Sequence, residues 1–220
     1  MSAAQPKFRV AIVPVTGFQQ NCSLVYDETT QRGAVVDPGG DVDVILQAIG
    51  KAGLAIEKIL LTHGHIDHAG GADELRERLG VKIEGPNRAD KPLLDNLAQS
   101  GARYGLLTSR AVVPDRWLDD GDKVEIAGFS FDVITAPGHS PGSVVLFCAA
   151  ERFALMGDVL FQGSIGRTDL PGGDHATLLK SINEKILPLG DDVVFLPGHG
   201  SASRIGDERE SNPFLKTPVH

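Results

Sequence analysis

"LLTHGHIDHAGG", residues 60–71, places three histidines and one aspartate within six positions, directly after an apolar run. The chain has seven histidines in 220 residues, so this concentration asks for a chemical reason. The preceding "IEKILLT" (56–62) reads as a buried strand. The following "AGGADELRERLG" (69–80) reads as a helix, with Glu74 and Arg78 at i,i+4 spacing. The histidines thus stand where a strand ends, a place where a rigid sheet presents side chains to a loop. Residues two apart in extended chain point the same way, so His63 and His65 reach one point together. Asp67 and His68 follow the turn into the helix and reach a second.

Three later segments repeat this construction of strand, tight glycine turn and one ligand-type side chain. "TAPGHSPGSVVLF" (135–147) carries His139, "ALMGDVLF" (154–161) carries Asp158, and "VVFLPGHGS" (193–201) carries His199. Five of the seven histidines fall in such places. Imidazole and carboxylate ligands without a thiolate suit zinc, iron or manganese, and their number fits two ions. The remaining two read differently: His175 as a helix start and His220 as a loose chain end.

Around these segments the chain alternates strands and helices. "FRVAIVPVT", "NCSLVYD" and "RGAVVD" read as strands ended by the turn "PGG". In "DVDVILQAIGKAG", Val42, Ile45, Leu46 and Ile49 share a helical face and Gly53 is the stop. Residues 85–110 read as helix and loop. Strands are expected at 122–126, 128–135, 142–148, 151–156 and in "DVVFLP". The helix "DHATLLKSINEKIL" is expected to be capped by Asp174, with Leu179, Ile182 and Ile186 inward. This order predicts an α/β fold, two mixed β-sheets packed together with helices outside in αββα layering. No repeat or linker divides the chain, so residues 1–220 read as one domain.

Apolar residues make up 41% of the chain and charged residues 23%, as in soluble globular proteins. The net charge of −8 argues against nucleic-acid binding and against docking on an anionic membrane. No apolar run approaches the roughly 18 residues of a membrane span. "MSAAQPKFRVAIVPVTG" lacks the pattern of a secretory signal. A cytoplasmic location is expected, with Cys22 and Cys148 as buried reduced thiols. The sequence carries no signal for an oligomeric state.

"THGHIDH", "GHSPGS", "GDVLF" and "PGHG", in this order, resemble the metallo-β-lactamase superfamily. "PVTGFQQNCSLVYD", "GRTDLPGGDH", "LPLGDDV" and "GDERESNPFL" resemble its short, single-domain, glyoxalase-II-like bacterial branch. The resemblance spans about residues 8 to 200 and implies the αββα sandwich. It implies one metal site from His63, His65 and His139, a second from Asp67, His68 and His199, and Asp158 bridging two divalent ions, zinc foremost, with iron or manganese as alternatives. Asp37, in "VVDPGG", matches a family aspartate that orients a ligand histidine. About twenty residues follow His199, so the C-terminal helical glutathione-binding domain of the longer enzymes is not expected.

The implied chemistry is thioester hydrolysis, such as S-lactoylglutathione to lactate and glutathione. A water between two ions loses its proton near neutral pH, its pKa falling from about 16 to about 7 on catalytic zinc. The hydroxide, oriented by Asp67, attacks the carbonyl, and a thiolate of conjugate pKa about 8.5 leaves without strong acid help. Arg167 stands where the longer enzymes hold glutathione with a lysine, and Asp169 where they have a tyrosine. An Arg167–Asp169 ion pair that shapes the loop is an equal reading. Arg88, Tyr104 and Trp117 are further pocket candidates, read first as surface or packing. Two alternatives share the fold: a persulfide dioxygenase with one iron on His63, His139 and Asp158, and a lactonase or broad esterase.

Overall fold

The structure is a computed structural model, and it describes residues 6–216. His220 lies outside the described residues. Among the described residues, thirteen strands and seven α-helices form. The strands are β1 (Phe8–Val15), β2 (Gln20–Asp27), β3 (Arg32–Val36), β4 (Ala55–Leu60), β5 (Lys82–Glu84), β6 (Lys123–Ile126), β7 (Phe129–Thr135), β8 (Val144–Cys148), β9 (Phe153–Gly157), β10 (Leu160–Phe161), β11 (Ser164–Ile165), β12 (Val194–Pro197) and β13 (Ser203–Arg204). The helices are α1 (Val42–Ala52), α2 (Ile66–Ala69), α3 (Ala72–Leu79), α4 (Lys91–Asp95), α5 (Leu97–Tyr104), α6 (His175–Ser181) and α7 (Ile205–Ser211). No helix among the described residues is long and apolar enough to cross a membrane.

Two mixed sheets carry the fold. One has the order β1-β2-β3-β4-β5, antiparallel through β3 and parallel from β3 to β5. The other has the order β13-β12-β9-β8-β7-β6, with β12 parallel to β9 and the remaining pairs antiparallel. Strands buried on both faces read as continuous apolar runs, and "ILL" of β4 and its exit shows why. Ile59 and Leu61 join Ile45, Ile49 and Leu75 under α1 and α3, while Leu60 faces the other way. Leu60, Val25 and Val36 meet Phe131, Leu146, Leu155 and Leu196 between the sheets. Phe195, Val145 and Phe147 pack outward against Leu178, Leu179, Ile182 and Ile186 of α6 and its extension. Three apolar layers separate four layers of secondary structure, which is the expected αββα sandwich.

Three local features depart from the expectation. The helix expected over 69–80 begins only at Ala72, as α3, and a separate short α2 precedes it, because the "PGG" turn docks at Gly70–Gly71 between them. Gly71 N–H donates to Pro38 O at 2.9 Å, and a Cβ on Gly70 would stand 2.7 Å from Gly39 O. The helix capped by Asp174, which accepts from Thr177 N, regular through Ser181, widens to a π turn over Ile182–Ile186 and tightens over Leu187–Leu189. The short β5, β10, β11, β13 and α7 have no periodic signal long enough to read. The Glu74–Arg78 pair forms at 3.9 Å, and Arg78 also meets Asp43 at 3.2 Å; both are exposed and contribute little. Cys22 and Cys148 are free and buried, in different apolar layers.

Candidate metal centre

The site forms at one edge of the sandwich, where strand ends of the two sheets approach. Val144 N–H of β8 donates to Thr62 O just beyond β4 at 2.8 Å, and Asn21 N–H of β2 donates to Gly198 O beyond β12 at 2.7 Å. These bonds cross between sheets, so the segments leaving β4, β9 and β12 and the β7–β8 turn converge. The convergence brings His63, His65, Asp67, His68, His139, Asp158 and His199 together, although as many as 136 positions separate them in sequence.

Two clusters result. In the first, His139 Nε2 lies 3.2 Å from His63 Nε2 and 2.9 Å from His65 Nδ1. In the second, His199 Nε2 lies 3.4 Å from His68 Nε2 and 3.1 Å from Asp67 Oδ2. Ligands at about 2.05 Å from a tetrahedral ion stand about 3.3 Å apart, so both clusters have the spacing of a ligand set. Asp158 lies between them: Oδ2 is 3.6 Å from His139 Nε2 and from His199 Nε2, and Oδ1 is 3.3 Å from His68 Nε2. Among the described residues, Asp158 Oδ1 is one of two buried side-chain atoms without a hydrogen-bond partner, the other being Gln20 Oε1. A buried carboxylate oxygen left unpaired among imidazoles is what a cation site requires. The donors thus fit divalent metal ions.

Neighbouring groups set which ring nitrogen faces inward. His139 Nδ1 lies 2.8 Å from Arg167 O, His63 Nδ1 lies 3.2 Å from Thr62 Oγ1, and His68 Nδ1 lies 2.9 Å from Asp37 Oδ2. Each contact leaves Nε2 to the cluster. Asp37, His63 and His68 also lie close enough to be grouped as ligands. Both Asp37 oxygens are engaged elsewhere, however: Oδ1 by Thr62 N–H at 2.7 Å, and Oδ2 by Thr62 Oγ1 at 2.5 Å and by His68. Asp37 is therefore placed to orient His68. It holds φ 53°, a left-handed conformation that costs an aspartate less than most residues.

Charge divides the site. Burial and then the neighbouring histidines push His63 well below its ordinary range, and burial with His139 brings His65 down to about 4. Burial opposes charge on His68 as well, but Asp158 and Asp67 outweigh it and raise His68 well above its ordinary range. Burial likewise opposes ionisation of Asp158 and Asp67, and the histidines, His68 foremost, overcome it and lower both. His199 is raised because the Asp67 hydrogen bond and Asp158 outweigh its burial. His63 and His65 of the first cluster are thus held neutral, and the second cluster is carboxylate-rich.

The other candidates fall outside this centre. Arg167 and Asp169 form an exposed two-point ion pair at 2.8 and 2.7 Å on the loop after Asp158. Arg88 lies over the Trp117 ring at 5.5 Å. Tyr104 is exposed at the cavity rim, edge-on to Phe18 at 5.2 Å. His175 begins α6, and His175→Ala is expected to leave metal content unchanged by elemental analysis; a lost equivalent would place it among the ligands. Asn21, which holds the loop of His199, escaped the sequence reading. Asn21 Nδ2 donates to Pro197 O at 3.0 Å and Gly200 O at 2.9 Å, bracketing His199. The "QNC" step repeats no ligand pattern, so only the contacts reveal it.

A four-layer sandwich with paired histidine and aspartate clusters at one end of its sheets defines a metallo-hydrolase. The chain belongs to the metallo-β-lactamase superfamily, whose profile matches residues 15–199. It is 46% identical over 209 residues to hydroxyacylglutathione hydrolase GloC of Haemophilus influenzae, covering 94% of this chain and 98% of that protein. The crystal structure of BLEG-1 B3 metallo-beta-lactamase matches with a TM-score of 0.88 at 36% identity, over 95% of this chain and 100% of that one. TTHA1623 in a di-iron-bound form matches with a TM-score of 0.83 at 34% identity, over 93% of this chain and 100% of that one.

Proposed function

We propose that this metallo-hydrolase cleaves hydroxyacylglutathione thioesters, S-lactoylglutathione among them, with His63, His65 and His139 holding one divalent ion, Asp67, His68 and His199 a second, and Asp158 shared. The carrying observation is Asp158, whose carboxylate reaches His139 on one side and His68 and His199 on the other. Two zinc ions, or iron as in the di-iron relative, would supply a Lewis acid and a deprotonated water near neutral pH. Asp67 Oδ2 faces the same space and is held ionised, so it can accept a hydrogen bond from the attacking water and aim it. A site for two ions exceeds the two histidines and one carboxylate that a single-iron dioxygenase needs, which favours hydrolysis. GloC, covered almost end to end, supports the substrate class.

The cavity over the centre measures about 910 Å³. Its rim holds two cations. Arg167 is occupied by Asp169, whereas Arg103 on α5 has no ion-pair partner among the described residues. Arg103 is the free guanidinium for a glutathione carboxylate. Arg103→Ala is expected to raise KM for S-lactoylglutathione about 5- to 10-fold with kcat held, the loss of one exposed charge contact. An unchanged KM would remove Arg103 from the carrier site. The reading as a whole is tested by elemental analysis with turnover on the same sample. Two metals per chain with thioester hydrolysis support it; one iron with oxygen uptake on glutathione persulfide would replace it with the dioxygenase, and two metals with lactone turnover alone with a lactonase.

A further inference from the structure

We propose that Asp90 is a positioning residue that fixes the distance between the two loops carrying the first histidine cluster, and so sets that cluster's metal affinity. The inference rests on reading His63, His65 and His139 as one ligand set. Asp90 ends the short 3-10 turn Arg88–Asp90 before α4 and is fully buried. Its Oδ2 accepts from Gly64 N–H at 2.7 Å and from Ser140 Oγ–H at 2.7 Å, and its Oδ1 accepts from Gly142 N–H at 2.6 Å. Gly64 lies between His63 and His65; Ser140 and Gly142 follow His139. One carboxylate therefore ties the loop of the first sheet to the loop of the second. Asn87 N–H closes the clamp by donating to Gly142 O at 3.1 Å.

The chemistry of the three donors demands this residue type. Two backbone N–H groups and one hydroxyl converge, and only an acceptor-only group satisfies all three. Asparagine would turn an NH2 group against one of the N–H groups. The approach is also close: a Cβ on Gly64 would stand 2.9 Å from Leu93 Cβ, and one on Gly142 would stand 2.6 Å from Asp90 N. Both glycines thus let the ligand loops rest directly on the segment around Asp90. Among the described residues no lysine or arginine pairs with Asp90, and burial raises its pKa against the pull of its three donors. A buried charge without a cationic partner is costly, and its three bonds all end on loops that present the cluster.

The test is zinc affinity of the full chain, measured by chelator competition, with His65→Ala identifying the binding step that belongs to the first cluster. Asp90→Asn is expected to weaken that step about 10- to 100-fold, as loss of the groups that orient metal ligands does, and to change the other step less than about 3-fold. Ser140→Ala, which removes one donor and no backbone contact, is expected to weaken the same step a few-fold while melting like the parent. Equal weakening of both steps, or no change in either, would overturn the proposal. If Asp90→Asn does not fold, Ser140→Ala decides: selective weakening supports the assignment, and equal or absent weakening overturns it. If His65→Ala removes no zinc step, the ligand set itself is wrong, a failure separate from a parent that binds two ions but does not hydrolyse thioesters.

Discussion

Asp158→Ala is expected to lose at least one of two metal equivalents and to slow hydrolysis about 1,000-fold or more, because on the proposed reading Asp158 would be shared by both ions and so serve charge stabilisation and nucleophile generation together. No neighbour can take over. Both Asp37 oxygens are bound by Thr62 and His68, and Asp67 lies on the side of His199, 3.8 Å from His68 Nε2. The variant should not unfold. Asp158 Oδ1 makes no hydrogen bond inside the protein, so its removal orphans no backbone group, but the carboxylate lies 3.3 Å from buried His68 and favours its charged form, so its loss costs the metal-free protein some stability. The metal-free variant is therefore expected to melt below the metal-free parent, and added metal to raise the parent's Tm more than the variant's. Elemental analysis and a thioester assay on one preparation check this, and parent-like metal content with parent-like rate would exclude Asp158 as the shared ligand.

Gly198→Ala is the second large effect, and it comes from space rather than charge. A Cβ there would stand 2.2 Å from Asp158 Oδ1 and 2.4 Å from His68 Cε1. Real Cβ atoms do not approach that closely, and the backbone cannot yield easily. Gly198 N–H donates to Gly157 O at 2.8 Å, and Gly198 O accepts from Asn21 N–H at 2.7 Å. The methyl must push Asp158 or His68 out of place. Misplacement of about 1 Å costs on the order of 100-fold in rate, and overpacking costs about 1–3 kcal/mol in stability. Gly200, two residues on, is the control: it has φ 75° and nothing within 4 Å of a Cβ. Gly200→Ala is expected to cost about 1 kcal/mol in stability and to keep metal and rate. Equal behaviour of the two variants in kinetics would show that the close approach at Gly198 is not what shapes the site.

These expectations draw on two kinds of information. "THGHIDH" after an apolar strand, and single ligand residues after three more strands or turns, were legible because period-two alternation and glycine turns act over a few residues. The αββα layering was legible for the same reason: apolar strands such as "KILLT" and "VVFLP" must be covered on both faces, and amphipathic helices lie between them in sequence. Helix limits were less legible. The break at Gly70–Gly71 depends on the "PGG" turn some thirty residues earlier, and the widening after Ser181 has no counterpart in the apolar spacing.

By itself the sequence determined which side chains stand at strand ends and therefore which chemistry was available. The family resemblance already implied a division of these residues; only the tertiary structure gives the distances, with His139 beside His63 and His65, His199 beside Asp67 and His68, Asp158 within 3.6 Å of His139 and His199, and Asp37 2.9 Å from His68. It also showed Asp90 and Asn21, ordinary polar residues in sequence, hydrogen-bonded to the loops that carry histidines, and Arg167 paired with Asp169 while Arg103 has no ion-pair partner among the described residues. The physical reason is range. Strand and turn preferences are properties of neighbouring residues, whereas a metal ligand set is a matter of distances near 3 Å between residues that only the meeting of two sheets brings together.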